Sequence, residues 1–156
     1  MHRQKLGGDE KSLISDCVKI LEMKKEYRKW HEKKSVVNAI VRRPFFHERE
    51  IWFCAIGVNV GFEQDGAGGE FQRPVIVIRK FNNEIFWTVP LTKAAKKRKK
   101  KAEKYYYSFS FVPGITSVAL LSQLRIIDAR RLSRHIGFIG RDDFGALMKK
   151  LKALLP

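Results

Sequence analysis

The most regular pattern of apolar and polar positions lies in residues 71–93, FQRPVIVIRKFNNEIFWTVPLTK. Two apolar runs rich in β-branched and aromatic residues, Val75–Ile78 and Ile85–Val89, flank a short segment, Phe81–Glu84. Such runs predict two strands, and the Asn-Asn pair between them supplies residues that tolerate positive φ in a tight turn. We therefore expect a β-hairpin here.

The register of this hairpin brings two polar residues together at its open end. If Asn82 and Asn83 are the two loop residues, facing residues have numbers that add to 165, which places Arg73 opposite Thr92. Directly opposed residues have Cβ atoms about 4.5–5.5 Å apart. A cation and a hydroxyl are thus expected to meet beside an otherwise apolar element.

Several other short runs have the composition of strands. The segment KYYYSFSFV alternates so that four aromatic residues share one face: Tyr105, Tyr107, Phe109 and Phe111. Further strands are predicted at 50–58, 117–128 with a break at Ser122-Gln123, and 134–140. Short strands joined by turns and followed by one terminal helix predict a small, partly open β-barrel, so the fold class is mainly β with helices (α+β).

Helical periodicity appears at both ends of the chain. Residues 10–34 carry apolar side chains at helical spacing, and their charged second half keeps Tyr27 and Trp30 on one side as a narrow docking stripe. A short helical or irregular piece, 35–41, is expected to end before Arg43-Pro44. We expect residues 1–45 to form an N-terminal helical extension and residues 46–156 to form the barrel domain.

The C-terminal segment RDDFGALMKKLKALLP predicts an amphipathic helix with acidic residues in its first turn and lysines towards its end, as the helix dipole favours. Its apolar stripe is more typical of core or dimer packing than of a cofactor site. The stripe consists of Phe144, Leu147, Met148, Leu151, Leu154 and Leu155.

Composition narrows the class of protein. The 156 residues suit one domain, and 44% hydrophobic residues can build a core. No apolar stretch reaches the roughly 18 residues of a membrane span and no signal peptide is evident, so we expect a soluble cytoplasmic protein. Cys17 and Cys54 are expected to be buried thiols, and the histidines lack metal-ligand spacing. We expect no metal and no cofactor.

Charge points to a polyanionic partner. The formal net charge is +16, and the tract 93–104, KAAKKRKKKAEK, holds eight basic and one acidic side chains, a net of +7. Such a density favours nucleic acid first, with an anionic membrane or an acidic protein second.

Four motifs, in order along the chain, resemble the MazF/PemK (Kid) family of toxin–antitoxin systems. The resemblance runs from about Arg49 to Leu155 and rests on REIWFCAIGVNVGFEQ, QRPVIVI, WTVPLT and SVALLSQLRIID. It implies an SH3-like barrel that is a homodimer, an endoribonuclease (mRNA interferase) cleaving single-stranded RNA without a metal, and an acidic antitoxin partner. The family's catalytic arginine and threonine fall on Arg73 and Thr92. The chain departs from the family at Phe62, where some members have histidine, and at Ser122, where many have an acid.

The resemblance gives the hairpin residues a chemical task. RNA is cleaved when its 2′-hydroxyl attacks the adjacent phosphorus, which leaves a 2′,3′-cyclic phosphate. The planar fork of Arg73 suits stabilisation of the charge that develops on phosphate oxygens, and Thr92 can donate a hydrogen bond to one of them. Candidate RNA-binding residues are Phe62, Glu63, Gln64, Lys93, Lys96, Lys97, Arg98, Gln123 and Arg125.

Two other functions stay open on the sequence alone. One is a non-catalytic RNA-binding module of the same fold. The other is a poison of gyrase like the related CcdB toxins, in which the Arg-Thr pair is dispensable.

Overall fold

The computed structural model describes residues 26–93 and 100–155. Residues 10–25 of the predicted N-terminal helix, Cys17 and half of the basic tract, residues 94–99, lie outside them. Residues 26–38 are helical and are called α1. The strands and the second helix are β1 (Glu50–Ala55), β2 (Gln72–Lys80), β3 (Ile85–Lys93), β4 (Tyr106–Val112), β5 (Ile115–Leu120), β6 (Arg125–Asp128), β7 (Leu132–Phe138) and α2 (Arg141–Lys152). Short 3₁₀ turns occupy Lys100–Tyr105, Leu121–Gln123 and Ala129–Arg131.

Within the described residues the seven strands form one antiparallel sheet in the order β4-β5-β3-β2-β1-β7, with β6 paired to β3. The sheet curls into a half-barrel, which confirms the predicted fold class. The break predicted at Ser122-Gln123 is the 3₁₀ turn between β5 and β6. Because β6 pairs with the first half of β3 and β5 with the second, this break lets one stretch of chain serve two parts of the barrel.

The hairpin of β2 and β3 is present, but its turn differs from the predicted one. The loop spans residues 81–84 rather than two residues, and Asn82 Oδ1 accepts hydrogen bonds from the backbone N–H groups of Glu84 and Ile85. Neither asparagine has positive φ, so the prediction of a two-residue turn was wrong.

From Val77 to Val75 the register is nevertheless the predicted one, but pairing of β2 with β3 ends at Val75 and Pro90, so the expected direct pairing of Arg73 with Thr92 does not form. Near the turn, Lys80 faces Phe86, one residue away from the expected alignment. An irregularity between Val77 and Arg79 shifts the pairing by one residue and so restores the expected alignment, in which Val75 faces Pro90. A β-bulge inserts one extra residue into a strand, which is the shift required here.

Strand β2 is buried on both faces, which explains its uninterrupted apolar run. Val75 and Val77 face a cluster with Phe46, Phe86 and other buried residues. Ile76 and Ile78 face a second cluster that includes the α2 residues Leu147 and Leu151. On neighbouring β3, buried Thr88 donates from Oγ1 to the Ile76 carbonyl at 2.5 Å.

Helix α2 covers the second cluster with the predicted apolar stripe, although Leu155 at its end is exposed. Tyr107 on β4 donates from its hydroxyl to Asp143 Oδ1 at 2.8 Å. Burial, and then this bond to Asp143, raise the pKa of Tyr107 to about 12. In the described part of the chain, no helix is long and apolar enough to cross a membrane.

Helix α1 docks on the barrel through the predicted aromatic stripe. Trp30 is buried against Ala55 and Phe71, and Tyr27 donates from its hydroxyl to the Asn59 carbonyl at 2.7 Å. Gly57 lies directly under the indole and has φ of +86°. The helix continues without a break to residue 38, so most of the predicted short piece is its last turn.

Candidate active site

Arg73 and Thr92 lie where β2 and β3 separate. Arg73 pairs with Cys54 on β1, and Thr92 pairs with Val118 on β5. The divergence opens a groove of about 580 Å³ that both side chains line. We call it the Arg73 groove. Its remaining walls are mainly apolar, and they include Phe53, Pro74, Leu91, Phe111 and Ile136, with Lys93 at the rim.

The Arg73 guanidinium is held by three protein acceptors. Its Nε donates to the Asp65 carbonyl at 2.5 Å, and Nη1 donates to the Leu91 carbonyl at 3.4 Å. With the Gln64 amide turned so that its oxygen faces the cation, Nη2 donates to that oxygen at 3.0 Å. A guanidinium has five N–H donors. Among the described residues these bonds engage three of the five N–H groups, and one N–H on each terminal nitrogen stays available to a ligand.

The environment of Arg73 is partly desolvated. Burial lowers the pKa of Arg73, and the neighbouring Asp65 carboxylate opposes this shift. A cation that has lost part of its hydration interacts more strongly with an anion than it would in water. Arg73 is therefore both fixed in position and poised for an anionic ligand.

The loop between β1 and β2, residues 56–71, positions these acceptors. Asp65 Oδ1 accepts from the Asn59 N–H at 2.6 Å, and Gly66 donates from its N–H to the Gly57 carbonyl at 2.7 Å. A Cβ at Gly66 would overlap the Phe71 carbonyl, so only glycine allows this close approach. The loop is thus a packed structure that presents one carbonyl and one amide to Arg73.

Gln123 ties the same loop to the far side of the barrel. Its Oε1 accepts from the Gln64 N–H at 3.2 Å, and its Nε2 donates to the Phe62 carbonyl at 3.2 Å. Both ends of the amide are therefore bonded to loop backbone. Phe62 itself is fully exposed at the loop tip and packs on no core.

A second groove, about 890 Å³, lies between α1 and the segment 122–127. We call it the helix groove. Predicted candidates Glu63, Gln123 and Arg125 line it, together with Lys34 and Arg131. The predicted residues that the structure describes therefore fall into two sets. Gln64, Lys93 and Thr92 lie with Arg73, whereas Glu63, Gln123 and Arg125 line the helix groove and Phe62 lies beside it.

Some predictions lie beyond the described residues, and some contributors were missed. Lys96, Lys97 and Arg98 belong to the undescribed stretch 94–99. The Asp65 and Leu91 carbonyls that hold Arg73 carry no sequence signal, because any residue supplies a carbonyl. Cys54 is buried as expected, and burial raises its pKa to about 12. No group of three or more potential metal ligands occurs in the described ranges.

Comparisons with known proteins add a family and a fold. The sequence profile described as "PemK-like, MazF-like toxin of type II toxin-antitoxin system" matches residues 47–155. MazF from Deinococcus radiodurans has a similar structure, with TM-score 0.53, 19% identity, and coverage of 72% of this chain and 96% of that one. An endoribonuclease from a mycobacterial species, solved with its cognate antitoxin, gives TM-score 0.50, 10% identity, and coverage of 72% and 98%. No curated protein matches the chain by sequence.

Proposed function

This chain belongs to the family of PemK-like, MazF-like toxins of type II toxin–antitoxin systems, and from that premise we propose that it is a metal-independent endoribonuclease that cleaves single-stranded RNA in the cytoplasm. One observation carries the proposal: Arg73 and Thr92 line a single groove, and three protein acceptors hold the Arg73 guanidinium in place there.

The proposed reaction uses the RNA's own 2′-hydroxyl as nucleophile. The hydroxyl loses its proton to solvent and its oxygen forms a bond to the adjacent phosphorus. The bond to the 5′-oxygen breaks and that oxygen takes up a proton from solvent, so the products are a 2′,3′-cyclic phosphate and a free 5′-hydroxyl. Arg73 stabilises the additional negative charge on the phosphorane oxygens. Thr92 donates a hydrogen bond that orients the phosphate. Fixing Arg73 before substrate arrives lowers the reorganisation needed in the transition state.

Binding of the RNA uses residues at the rim of the site. Lys93 is exposed beside Thr92 and suits a neighbouring phosphate. Phe62 is exposed at the tip of the β1–β2 loop and suits stacking on an unpaired base, which is worth about 1–3 kcal/mol per base. Gln123 holds the β1–β2 loop in place and does not itself contact RNA, because both ends of its amide are bonded to the loop backbone. The lysine-rich tract 93–104 adds positive charge next to Lys93.

Two protein partners belong to the proposal. A second copy of the chain would cover the apolar rim of the Arg73 groove, where Val112 and Ile115 are exposed. An acidic antitoxin would neutralise the strongly basic toxin. Sedimentation equilibrium of the purified chain tests the homodimer, and a monomer at micromolar concentration would contradict it.

The decisive experiment is cleavage of a labelled single-stranded RNA in EDTA. The wild-type protein should give 2′,3′-cyclic ends, and Arg73→Ala and Thr92→Val should each slow cleavage by about 100-fold or more. Arg73→Lys keeps the charge but loses the fork, and it should be almost as slow. Arg79→Ala is the matched control, since Arg79 is exposed on the same strand and outside the groove.

The outcomes separate the competing functions. Cleavage at the wild-type rate by Arg73→Ala would refute the assignment. Tight RNA binding by the wild-type chain without any cleavage would instead identify a non-catalytic RNA-binding module, and trapping of gyrase would identify a poison of that enzyme.

A further inference from the structure

The helix groove carries a set of cations that the proposed chemistry does not use. Lys34 comes from α1, Arg125 from β6, and Arg131 from the 3₁₀ turn that follows β6. All three line one cleft of about 890 Å³, a volume within the usual range for ligand sites. Three separate elements therefore converge to make a single basic surface.

The wall formed by α1 is fixed in place. Trp30 is buried beneath the helix, and the Arg131 guanidinium lies over its ring with 5.4 Å between the guanidinium carbon and the ring centroid. Arg131 also donates from Nη1 to the Ala55 carbonyl at 3.3 Å. Lys34 lies one turn after Trp30, with its Nζ 6.0 Å from the same ring. The packing that docks the helix thus also sets the position of two of the cations.

The groove offers little that would repel a polyanion. Glu63 is the one acidic residue among the described residues that line the groove, and it belongs to the β1–β2 loop. Its Oε2 accepts from the Val60 N–H at 3.4 Å, so the carboxylate is directed towards its own loop. Exposed Ile126 adds an apolar side chain to the groove lining.

The groove is connected to the Arg73 groove through hydrogen bonds. Gln123 lines the helix groove and accepts from the Gln64 N–H, and the Gln64 side chain in turn contacts Arg73. The β1–β2 loop therefore contacts residues of both grooves and connects them.

We propose that the helix groove binds the flanking nucleotides of the single-stranded RNA, with Lys34 and Arg125 contacting backbone phosphates and α1 forming the second wall. This inference rests on the proposed function, because it extends the binding site for the same RNA substrate from the Arg73 groove to the helix groove. It assigns the N-terminal extension a role in substrate binding.

The test measures binding to RNA that lacks a free 2′-hydroxyl and so cannot react. Fluorescence anisotropy is recorded with 2′-O-methyl RNAs of mixed sequence, one about 12 and one about 4 nucleotides long, a range that matches known single-strand site sizes. The logarithm of the binding constant falls linearly with the logarithm of the salt concentration, and each phosphate contact contributes about 0.7 to that slope. At about 0.1 M salt, one contact therefore corresponds to about fivefold in affinity. Lys34→Gln should therefore lower the affinity for the long RNA by about fivefold, and the double variant Lys34→Gln with Arg125→Gln should lower it by about 25-fold.

The controls keep the result specific to the groove. Lys29→Gln removes an exposed lysine from the same helix but outside the groove, and it should leave affinity for the long RNA within about twofold of wild type. Both groove variants should bind the short RNA with nearly the wild-type affinity, because this RNA does not span both grooves. Circular dichroism confirms that Lys34→Gln, at an exposed position, keeps the fold.

Two results would overturn the proposal. The first is equal affinity of the wild-type and double-variant proteins for the long RNA. The second is loss of binding to a polyglutamate peptide with unchanged RNA binding, which would assign the groove to an acidic protein. A protein that binds the long RNA through the groove but cleaves no RNA would refute the proposed function and leave this inference standing.

Discussion

The substitution Gly57→Ala tests how α1 is attached to the barrel. Gly57 has φ of +86°, in the left-handed region where a side chain costs about 1–2 kcal/mol. A Cβ at this position would also lie 2.5 Å from Trp30 Nε1 and closer still to two ring carbons. The indole therefore cannot stay where it is.

The size of the effect follows from the burial of Trp30. The residue is 5% exposed, and a buried aromatic side chain removes about 150–250 Å² from water. At about 25 cal/mol per Å² this contributes about 4–6 kcal/mol, an upper estimate. The remaining contacts of α1 are a few hydrogen bonds, including Tyr27 to Asn59 and Arg130 to the Asn38 carbonyl. We therefore expect α1 to detach while the barrel stays folded.

Hydrogen exchange of residues 26–38 is the direct measurement. Loss of several kcal/mol of docking energy should speed exchange of these amides by more than about 100-fold, whereas amides of β2 should change far less. Gly61→Ala is the matched control, since Gly61 has φ of +58° but a Cβ there would meet nothing within 4 Å. The Gly61→Ala variant has the backbone strain without the clash, so the amides of α1 should stay protected from hydrogen exchange.

A double-mutant cycle decides whether the clash is the cause. In a Trp30→Ala background, Gly57→Ala should cost only the strain of about 1–2 kcal/mol in the free energy of unfolding. Normal protection of residues 26–38 in Gly57→Ala, or full additivity of the two substitutions, would refute the reasoning.

Two further predictions concern groups with shifted pKa values. The folded-state pKa of Tyr107, about 12, is above its ordinary value of 10.0, so stability should be complete below pH 10 and fall as the pH rises from 10 to about 12. Denaturation midpoints against pH should show that Tyr107→Phe lacks this component, and identical profiles would contradict it. Cys54 should resist thiol reagents at pH 8 in a Cys17→Ser protein and react once guanidinium unfolds the chain, because burial raises its pKa to about 12. Fast labelling of the native protein would show that the thiol is accessible.

Much of the barrel was predictable because its strands have clear patterns. The alternation of Tyr107, Phe109 and Phe111 places them against the core that α2 covers. The apolar run of β2 is buried on both faces, and the break at Ser122-Gln123 becomes a turn. The turn of the hairpin was not predictable, because Asn82 caps the loop through its side chain rather than by adopting positive φ.

The candidate site was predictable only in its side chains. The hairpin register and the resemblance to a family both indicated Arg73 and Thr92, and the two residues do line one groove, although the strands separate before they could pair directly. The acceptors that fix Arg73 are backbone carbonyls and a loop amide, and these depend on the path of the β1–β2 loop. The docking stripe of α1 was predicted, but its position beside Arg131 was not, since the two segments are distant in sequence.

The bulge between Val77 and Arg79 separates the hairpin into two parts with independent alignment. The part near Arg73 is aligned by packing of Val75 and Ile76 into two different cores and by the bond from Thr88. The turn at 81–84 therefore has no part in aligning the groove. The tip is therefore a place where the polypeptide could be opened to make new termini while Arg73 and Thr92 stay together in their groove.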